Sequence, residues 1–389
     1  MSISKKSSKI NRYQLAGSQK KSGINSWRFC FNGINKLTAQ ERKFFIEFTM
    51  LNPGLSPDEA ILGFKPRVSI SAEDLQNVLA GTASAKSIQS ESYVVPSYAV
   101  VRAGVLGAGA KQVCSYTEAG NVSVSTKSFC VHGNNFAFDD EKLSGHIEYS
   151  AEEIQEHPEY LCDSGLIEWN LRYEIRSDFA EGYSGKNCSW VPTGLRTVFS
   201  GTFTVDGKVY DVLPAKSAGY IDRFFGKNVV FPWVHISSSS LTSVISGKTL
   251  TDSAFAVQGV FDERLSAVVN IENKTVVFNA AKGKHSFSSI WNFSQVPEND
   301  GEEKLHWSAS FHNKSYVVDV DVFCPSAQMY VKSVEIPEGN RKVLEMLCGG
   351  TGTGEIKVFK KIGKNLELIE HDRIAHALCE FGQEETPER

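Results

Sequence analysis

An acidic residue lies among aromatic residues in the middle of the chain. Asp222 stands two positions after Tyr220 and two before Phe224, and Phe225 and Trp233 follow. Protonation of an isolated alkene needs an acid that stays un-ionised near neutral pH, and burial in apolar surroundings favours the un-ionised form of a carboxyl group. The carbocation that forms must then be stabilised, and each aromatic face can contribute about 0.5–2 kcal/mol by cation–π attraction. The segment therefore predicts an aromatic pocket in which Asp222 donates a proton.

Arg223 stands next to Asp222 and complicates this role. A salt bridge between the two would favour the ionised carboxylate and make Asp222 a poor acid. Adjacent side chains on a strand point to opposite faces, however, so Arg223 is free to pair elsewhere. Two interpretations stay open: Asp222 is a structural clasp where strands cross, or it donates a proton or orients the substrate. Glu47, flanked by apolar residues in FFIEFTMLNP, is the second candidate acid, and a solvent-facing position is its alternative.

Composition and motif spacing argue against several classes of function. The formal net charge of −4 gives no electrostatic reason to expect a nucleic-acid partner. The nine histidines follow no metal-ligand spacing such as HExxH, so neither a metal nor another cofactor is expected. The run GGTGTG at 349–354 precedes a strand-like segment, where a nucleotide-binding loop needs a helix. The eight cysteines form no CxxC pair and no export signal is recognisable, so we expect reduced thiols and a cytoplasmic protein.

The elements that must position these residues are predicted to be strands. Apolar and polar residues alternate in GTFTVDGKVYDV, on both sides of Asp206-Gly207, which is a strong hairpin signal. Similar alternation surrounds Glu272-Asn273 and Asn313-Lys314. Helical signals are few and short; Ser150 with Glu153 is the clearest capping box. The pattern predicts an all-β protein built of antiparallel sandwiches or barrels.

The chain is long enough for two domains. The first residues, MSISKKSSKI, are basic and lack an apolar run, so we expect residues 1–20 to form a disordered tail. A break in the strand pattern at 184–197 places a domain boundary near residue 195. This division predicts one β domain over residues 21–195 and a second over residues 196–389.

Several segments carry a resemblance to a known family. They are SWRFCFNG with KFFIEFTMLNP, PSYAVVRAGVLG, LSGHIEY, GYIDRFFGKNVVFPWVHISSSSLTS and CGGTGTGEIKVFKK. From about Ser22 to about Glu380 the chain resembles the tocopherol cyclase family, which belongs with carotenoid 1,2-hydratases and fungal Diels–Alder cyclases to a lipocalin-like group. The family's central pattern is kept at Tyr220, Gly226, Phe231, Pro232 and Trp233. The sequence departs from it with Asp222 and Arg223 for Glu and Lys, Phe224 and Phe225 for Asn and Trp, and His235 for Trp.

The resemblance implies a fold and an activity. The fold would be two lipocalin-like antiparallel β-barrels or sandwiches with a few short loop helices and a cavity at or near their junction. The activity would be cofactor-independent, acid-catalysed cyclisation or hydration of a prenylated or polyene molecule. Asp222 and Glu47 would be the catalytic residues. The substrate-binding residues would be Trp27, Tyr220, Phe224, Phe225, Trp233 and His235.

Two other functions stay open at this point. A carrier that binds a hydrophobic small molecule without changing it is favoured by the family Asn and Trp that are lost at positions 224 and 225. A Diels–Alder-type cyclase would only fold its substrate into a reactive geometry and would need no proton donor. A hydrophobic small molecule is the expected partner in each case, while peripheral contact with a membrane and the oligomeric state are left open.

Overall fold

Strands dominate the architecture of the chain. The structure is a computed structural model, and it describes residues 4–55, 72–82, 95–229, 233–260, 265–272, 274–279, 287–297, 303–338 and 343–384. The α-helices in these ranges are α1 (Lys5–Ile10), α2 (Ala72–Leu79) and α3 (Ala151–Glu156). The prediction of an all-β, antiparallel fold with a few short helices is confirmed. Among the described residues, no helix is long and apolar enough to cross a membrane.

The first half of the chain forms one antiparallel sheet of 13 strands. Its main order is β4-β3-β2-β1-β12-β11-β9-β8-β7-β6-β5, and β13 bridges β1 and β11. The strands are β1 (Ile24–Ile34), β2 (Glu41–Leu51), β3 (Tyr98–Leu106), β4 (Lys111–Thr117), β5 (Ser123–Val124), β6 (Cys130–His132), β7 (Phe136–Asp139), β8 (Lys142–Tyr149), β9 (Gly165–Ser177), β10 (Tyr183–Ser184), β11 (Cys188–Val205), β12 (Lys208–Val212) and β13 (Gly219–Gly226).

The second half forms another antiparallel sheet, of 12 strands. Its main order is β19-β18-β17-β14-β25-β24-β22-β21-β20, with β15, β16 and β23 attached to its side. The strands are β14 (Trp233–Ser238), β15 (Ser240–Ser243), β16 (Thr249–Leu250), β17 (Ala254–Val260), β18 (Leu265–Ile271), β19 (Lys274–Phe278), β20 (Ser288–Pro297), β21 (Glu303–His312), β22 (Tyr316–Pro325), β23 (Tyr330–Glu335), β24 (Val343–Ile362) and β25 (Asn365–Glu384).

The hairpin turn at Asp206-Gly207 illustrates how the sequence fixes a local structure. The two residues separate β11 from β12, whose ends pair between Val205 and Lys208. Both turn residues have a positive φ, 48° for Asp206 and 75° for Gly207. A two-residue turn with positive φ at both positions matches the twist of the flanking strands, and Asp-Gly is well suited to adopt it. The predicted hairpin is therefore confirmed.

The passage from one sheet to the other lies later in the chain than the boundary near residue 195. Strands β11, β12 and β13 all pair within the first sheet, which ends at Gly226, and the second sheet begins at Trp233. The break at 184–197 falls instead around β10 and the start of β11. The polar residues there mark a turn within a sheet, because β10 pairs directly with β11.

The amino-terminal segment also differs from the disordered tail expected over residues 1–20. Helix α1 occupies part of it, and Ser7 and Leu15 are buried. The backbone carbonyl of Asn11 accepts a hydrogen bond of 2.8 Å from the indole Nε1 of Trp27. Backbone carbonyls of this segment thus accept hydrogen bonds from side chains of the first sheet, which fixes the segment against that sheet.

Within the described ranges, the buried apolar side chains form three clusters. One lies inside the first sheet and one inside the second. The third joins the two sheets and contains, among others, Tyr98, Trp190 and Phe224 from the first sheet and Trp233 and Met346 from the second. Strands β1, β2, β3 and β13 are accordingly buried on both faces. Polar residues on the face toward the second sheet therefore need partners within the protein.

Candidate functional site

A row of alternating charges crosses four neighbouring strands of the first sheet. Asp222 on β13 is in register with Arg28 on β1, Arg28 is in register with Glu47 on β2, and Glu47 is in register with Arg102 on β3. Residues in register on antiparallel strands project from the same face. All four are between 2% and 8% exposed, so the row is buried where the two sheets meet.

The second sheet contributes two more charges and a histidine. Glu380 on β25 is in register with His235 on β14, and it accepts a hydrogen bond from Nη1 of Arg28. Lys332 on β23 donates from Nζ to Oε2 of Glu47 at 2.6 Å. These two ion pairs join the sheets directly. The resulting charge cluster, Arg28, Glu47, Arg102, Asp222, Lys332 and Glu380, contains three cations and three carboxylates.

The guanidinium group of Arg28 contacts both oxygens of the Asp222 carboxylate. Its Nε lies 3.2 Å from Oδ1 and its Nη2 lies 2.6 Å from Oδ2. Oδ2 also accepts a hydrogen bond of 3.0 Å from the indole Nε1 of Trp190. Both oxygens of the buried Asp222 carboxyl group thus have side-chain donors, which an acid surrounded only by apolar groups would lack.

The other two carboxyl groups of the cluster, Glu47 and Glu380, have lowered pKa values. Burial by itself would raise the pKa of Glu47, but attraction to Lys332 and Arg102 outweighs burial and lowers the pKa to about 2. Burial likewise opposes ionisation of Glu380, and Arg28 and His235 nevertheless hold its pKa well below the usual range. Neither group stores a proton near neutral pH.

A histidine and a tyrosine extend the cluster away from the cavity. Nδ1 of His235 lies 3.0 Å from Oε2 of Glu380, and Nε2 lies 3.2 Å from the Tyr220 hydroxyl. The Tyr220 hydroxyl also lies 3.4 Å from Oε1 of Gln258. Burial, followed by repulsion from Asp222, raises the pKa of Tyr220 well above its ordinary value, so the hydroxyl stays protonated. The chain Tyr220–His235–Glu380 is a connected path along which a proton can be shared.

A cavity of about 50 Å³ lies against the charge cluster at the junction of the sheets. Two indole rings, Trp190 from β11 and Trp233 from β14, are stacked with centroids 3.6 Å apart and lie at one side of it. A smaller void of about 20 Å³ lies on the far side of Arg28 and Lys332. The first cavity is lined by Ile24, Ser26, Arg28, Glu47, Thr49, Trp190, Asp222, Phe224, Val229, Trp233, Lys332, Val334 and Met346.

Most of the residues proposed from the sequence come together here. Asp222, Glu47, Phe224 and Trp233 line the junction cavity. Tyr220 and His235 lie directly behind it, through the hydrogen bonds described above. Phe231 and Pro232, which belong to the family pattern, lie outside the described residues.

The structure does not bring Trp27 and Phe225 to the cavity. Trp27 is adjacent to Arg28 on β1 and therefore projects from the opposite face, into the core of the first sheet. The guanidinium of Arg223 lies over its ring, 3.6 Å from the centroid, and 5.8 Å from that of Phe225. Arg223 donates to the backbone carbonyls of Ser26 and Arg12, at 2.5 and 2.8 Å. Arg223 therefore faces away from Asp222, and Arg28 is the partner of that acid.

The sequence reasoning missed the other members of the charge cluster and one of the stacked indoles: Arg28, Arg102, Trp190, Lys332 and Glu380. Arg28, Lys332 and Glu380 share a recognisable feature, because each is a single charge within a short run of apolar residues, in WRFCF, YVKSV and ALCEF. A charge at such a position is either solvent-facing or buried with a partner, and the sequence does not say which. Among the residues that the structure describes, no group of three or more His, Cys, Asp or Glu side chains could hold a metal ion.

Comparison with known proteins gives no family for this chain. No protein-family model matches it, and no curated protein matches it. Among solved structures, it is similar to a candidate AttH protein from Nitrosomonas europaea, with 9% identity, a TM-score of 0.43, and coverage of 91% of this chain and 92% of that one. It is also similar to kievitone hydratase from Nectria haematococca, with 13% identity, a TM-score of 0.41, and coverage of 95% of this chain and 92% of that one.

Proposed function

We propose that this protein binds a prenylated or polyene molecule at the junction cavity and catalyses its cyclisation or hydration without a cofactor. The observation that supports this most directly is the meeting of the Asp222 carboxylate, two stacked indoles and a void at one place. Apolar walls with a few placed polar groups are typical of small-molecule sites. The resemblance to the tocopherol cyclase family points to the same chemistry.

Binding of such a substrate requires side chains to move. A cavity of about 150 Å³ is needed to hold a benzene molecule, and the junction cavity measures about 50 Å³. Met346 and Lys332 line the cavity and have unbranched, rotatable side chains. We expect substrate binding to displace them and to merge the cavity with the neighbouring void near Arg28.

The ion pair with Arg28 gives Asp222 a different part in the reaction from the one expected. A hydroxyl group of the substrate, or a water molecule, donates a hydrogen bond to the carboxylate and transfers its proton to it. The carboxyl group then delivers that proton to one alkene carbon, which leaves positive charge on the other, and the oxygen attacks that positively charged carbon. An O–H bond and a C=C π bond break, a C–O bond and a C–H bond form, and Asp222 returns to the carboxylate. The faces of Trp190 and Trp233 stabilise positive charge that develops on carbon.

Replacement of Asp222 by asparagine tests this role. The asparagine side chain would keep the size of the aspartate but could not accept a proton, so we expect turnover to fall by at least about a hundredfold, the lower range for a general acid–base residue. Purified protein would be incubated with geranylhydroquinone in metal-free buffer, and cyclic and hydrated products would be measured by mass spectrometry. Asp211→Asn is the matched control, because Asp211 lies on β12 and pairs with Lys36 far from the cavity. Equal product from the wild type and the Asp222 variant would refute the role.

A carrier without chemistry is the second candidate. It is favoured by the pairing of both cavity-lining carboxylates, Glu47 and Asp222, with cations in the described part of the chain. Such pairing makes a rigid polar wall, and Glu47, whose pKa is lowered to about 2, supplies no proton in the resting protein. In the incubation above, saturable quenching of tryptophan fluorescence together with complete recovery of unchanged geranylhydroquinone would favour the carrier over the enzyme.

A further inference from the structure

A second cavity lies within the second sheet, away from the junction. It measures about 190 Å³ and shares no lining residue with the junction cavity. Its apolar wall includes Val269, Val276, Val358 and Ile369, with the ring of Tyr316 beside them. A cavity of about 150 Å³ is enough to bind benzene, so this one accommodates a phenyl ring with a short side chain. Exposed residues at the β18–β19 turn form part of its lining and leave it open to solvent.

Acidic groups cluster at one side of this cavity. Glu370 and Glu272 belong to its lining, and Asp372 stands two positions after Glu370 on β25, on the same face of the strand. Asp372 is in register with Ile356, which lies in the core of the second sheet, so its side chain faces the interior. Asp372 has 0% exposure. Neither of its oxygens accepts a hydrogen bond from a nitrogen or hydroxyl donor among the described residues, and the neighbouring Glu370 carboxyl group is close enough to share a proton with it.

The charges around Asp372 do not neutralise it. Ser243 on β15 donates a hydrogen bond of 2.7 Å to Glu370. Ser243 is also in register with Asp372. Lys274, at the start of β19, lines the same cavity and is exposed. Burial, followed by repulsion from Glu370, raises the pKa of Asp372 to about 7. Above that pH the fold carries two neighbouring carboxylates, and a cation between them would relieve the unfavourable burial of charge.

We propose that the cavity within the second sheet binds a small hydrophobic amine in its cationic form. The ammonium group would lie at the Glu370 carboxylate, which lines the cavity, and its charge would also favour ionisation of Asp372, buried beside Glu370. The apolar part would lie among the valines and Tyr316. Binding would release the proton that Asp372 otherwise holds, because the ammonium charge favours the ionised carboxylate.

Calorimetric titration of the full chain with 2-phenylethylamine tests the proposal. An alkylamine stays cationic up to about pH 9, as a lysine does, so any change in affinity below that pH reports on the protein. With one linked group of pKa about 7, affinity should increase about tenfold between pH 6 and pH 8. Titration in two buffers of different ionisation enthalpy should show proton release on binding at pH 6.

Two matched ligands and three variants complete the design. 2-Phenylethanol and 3-phenylpropionate have similar size but carry no charge or a negative charge, and both should bind at least tenfold more weakly at pH 8. Asp372→Asn should weaken amine binding and abolish its pH dependence. Val276→Phe fills the cavity while both carboxylates remain, and it should abolish binding even if the Asp372 variant folds poorly. Asp222→Asn should leave amine binding unchanged, which separates this site from the proposed catalytic site.

The outcomes are decisive in both directions. Preference for the amine, with pH dependence lost in Asp372→Asn, supports the site. Equal affinity for the alcohol and the amine, tighter binding of the carboxylate through Lys274, or no binding of the amine would each overturn it.

Discussion

Replacing Arg28 by methionine is expected to lower the free energy of unfolding by about 3–5 kcal/mol, the usual effect of removing one partner from a buried ion pair. Arg28 is 8% exposed and is paired with two buried carboxylates, Asp222 and Glu380. Methionine fills similar space, so the loss reports mainly on the uncompensated negative charge and not on packing. Urea denaturation at pH 7, followed by tryptophan fluorescence, would measure it.

Two further variants identify the cause of that loss. Arg28→Met combined with Glu380→Gln removes one of the two stranded charges and should recover part of the lost stability. Arg172→Met, on an exposed position of β9, should change stability by less than about 0.5 kcal/mol. A loss below about 1 kcal/mol in Arg28→Met would show that the cluster tolerates an unpaired charge, and its ion pairs would then not be what holds the carboxylates in place.

Replacing Glu47 by glutamine is expected to lower stability at pH 7 by about 3 kcal/mol, and the loss should shrink as the pH falls. The pKa of Glu47 is lowered from 4.5 to about 2 in the folded protein. Its stabilising effect is therefore complete above pH 4.5 and is lost between that pH and about 2, as the carboxylate takes up a proton. The difference between wild type and variant in the free energy of unfolding, measured in urea from pH 7 down to pH 3, should fall to about half or less of its value at pH 7.

The exposed Glu367 in the β24–β25 hairpin provides the control for Glu47. Glu367→Gln should leave stability within about 0.5 kcal/mol at every pH. A constant difference between wild type and Glu47→Gln across the pH range would mean that the ionisation of Glu47 is not the source of its effect. The same variant also tests a catalytic role, because a folded Glu47→Gln protein with normal turnover would exclude this residue as an essential acid.

The antiparallel strands could be predicted from sequence because their signals are local. Asp206-Gly207 needs only its own backbone preferences and the alternation beside it to specify a hairpin. The passage between sheets is a long-range feature. Nothing local in residues 188–226 distinguishes strands that pair within the first sheet from strands that begin a second one, so the boundary was placed too early.

Only part of the site could be predicted, because alternation along a strand is a local signal and the docking of the two sheets is not. Alternation along a strand separates Trp27 from Arg28 and Arg223 from Asp222, but it does not say which face of β1 meets the second sheet, since both faces are buried. Trp27 and Phe225 were therefore assigned to the cavity although Trp27 lies in the core of the first sheet and Phe225 does not line the cavity. The partner of Arg28, Glu380, is 352 residues away in sequence. Such a pair depends on how two sheets dock, and a single sequence carries no direct signal of that docking.

The charge cluster has a consequence for the assembly of the two halves. The four charges from the first sheet sum to zero, and so do the two from the second, so neither half attracts the other by net charge. The cluster instead fixes the position of one sheet relative to the other. A shift of either sheet by two residues along its strands would break the Arg28–Glu380 and Lys332–Glu47 ion pairs at the same time. A chimera that joined this amino-terminal half to a different carboxyl-terminal half would need a carboxylate and a lysine at the positions of Glu380 and Lys332, even if its apolar surface fitted well.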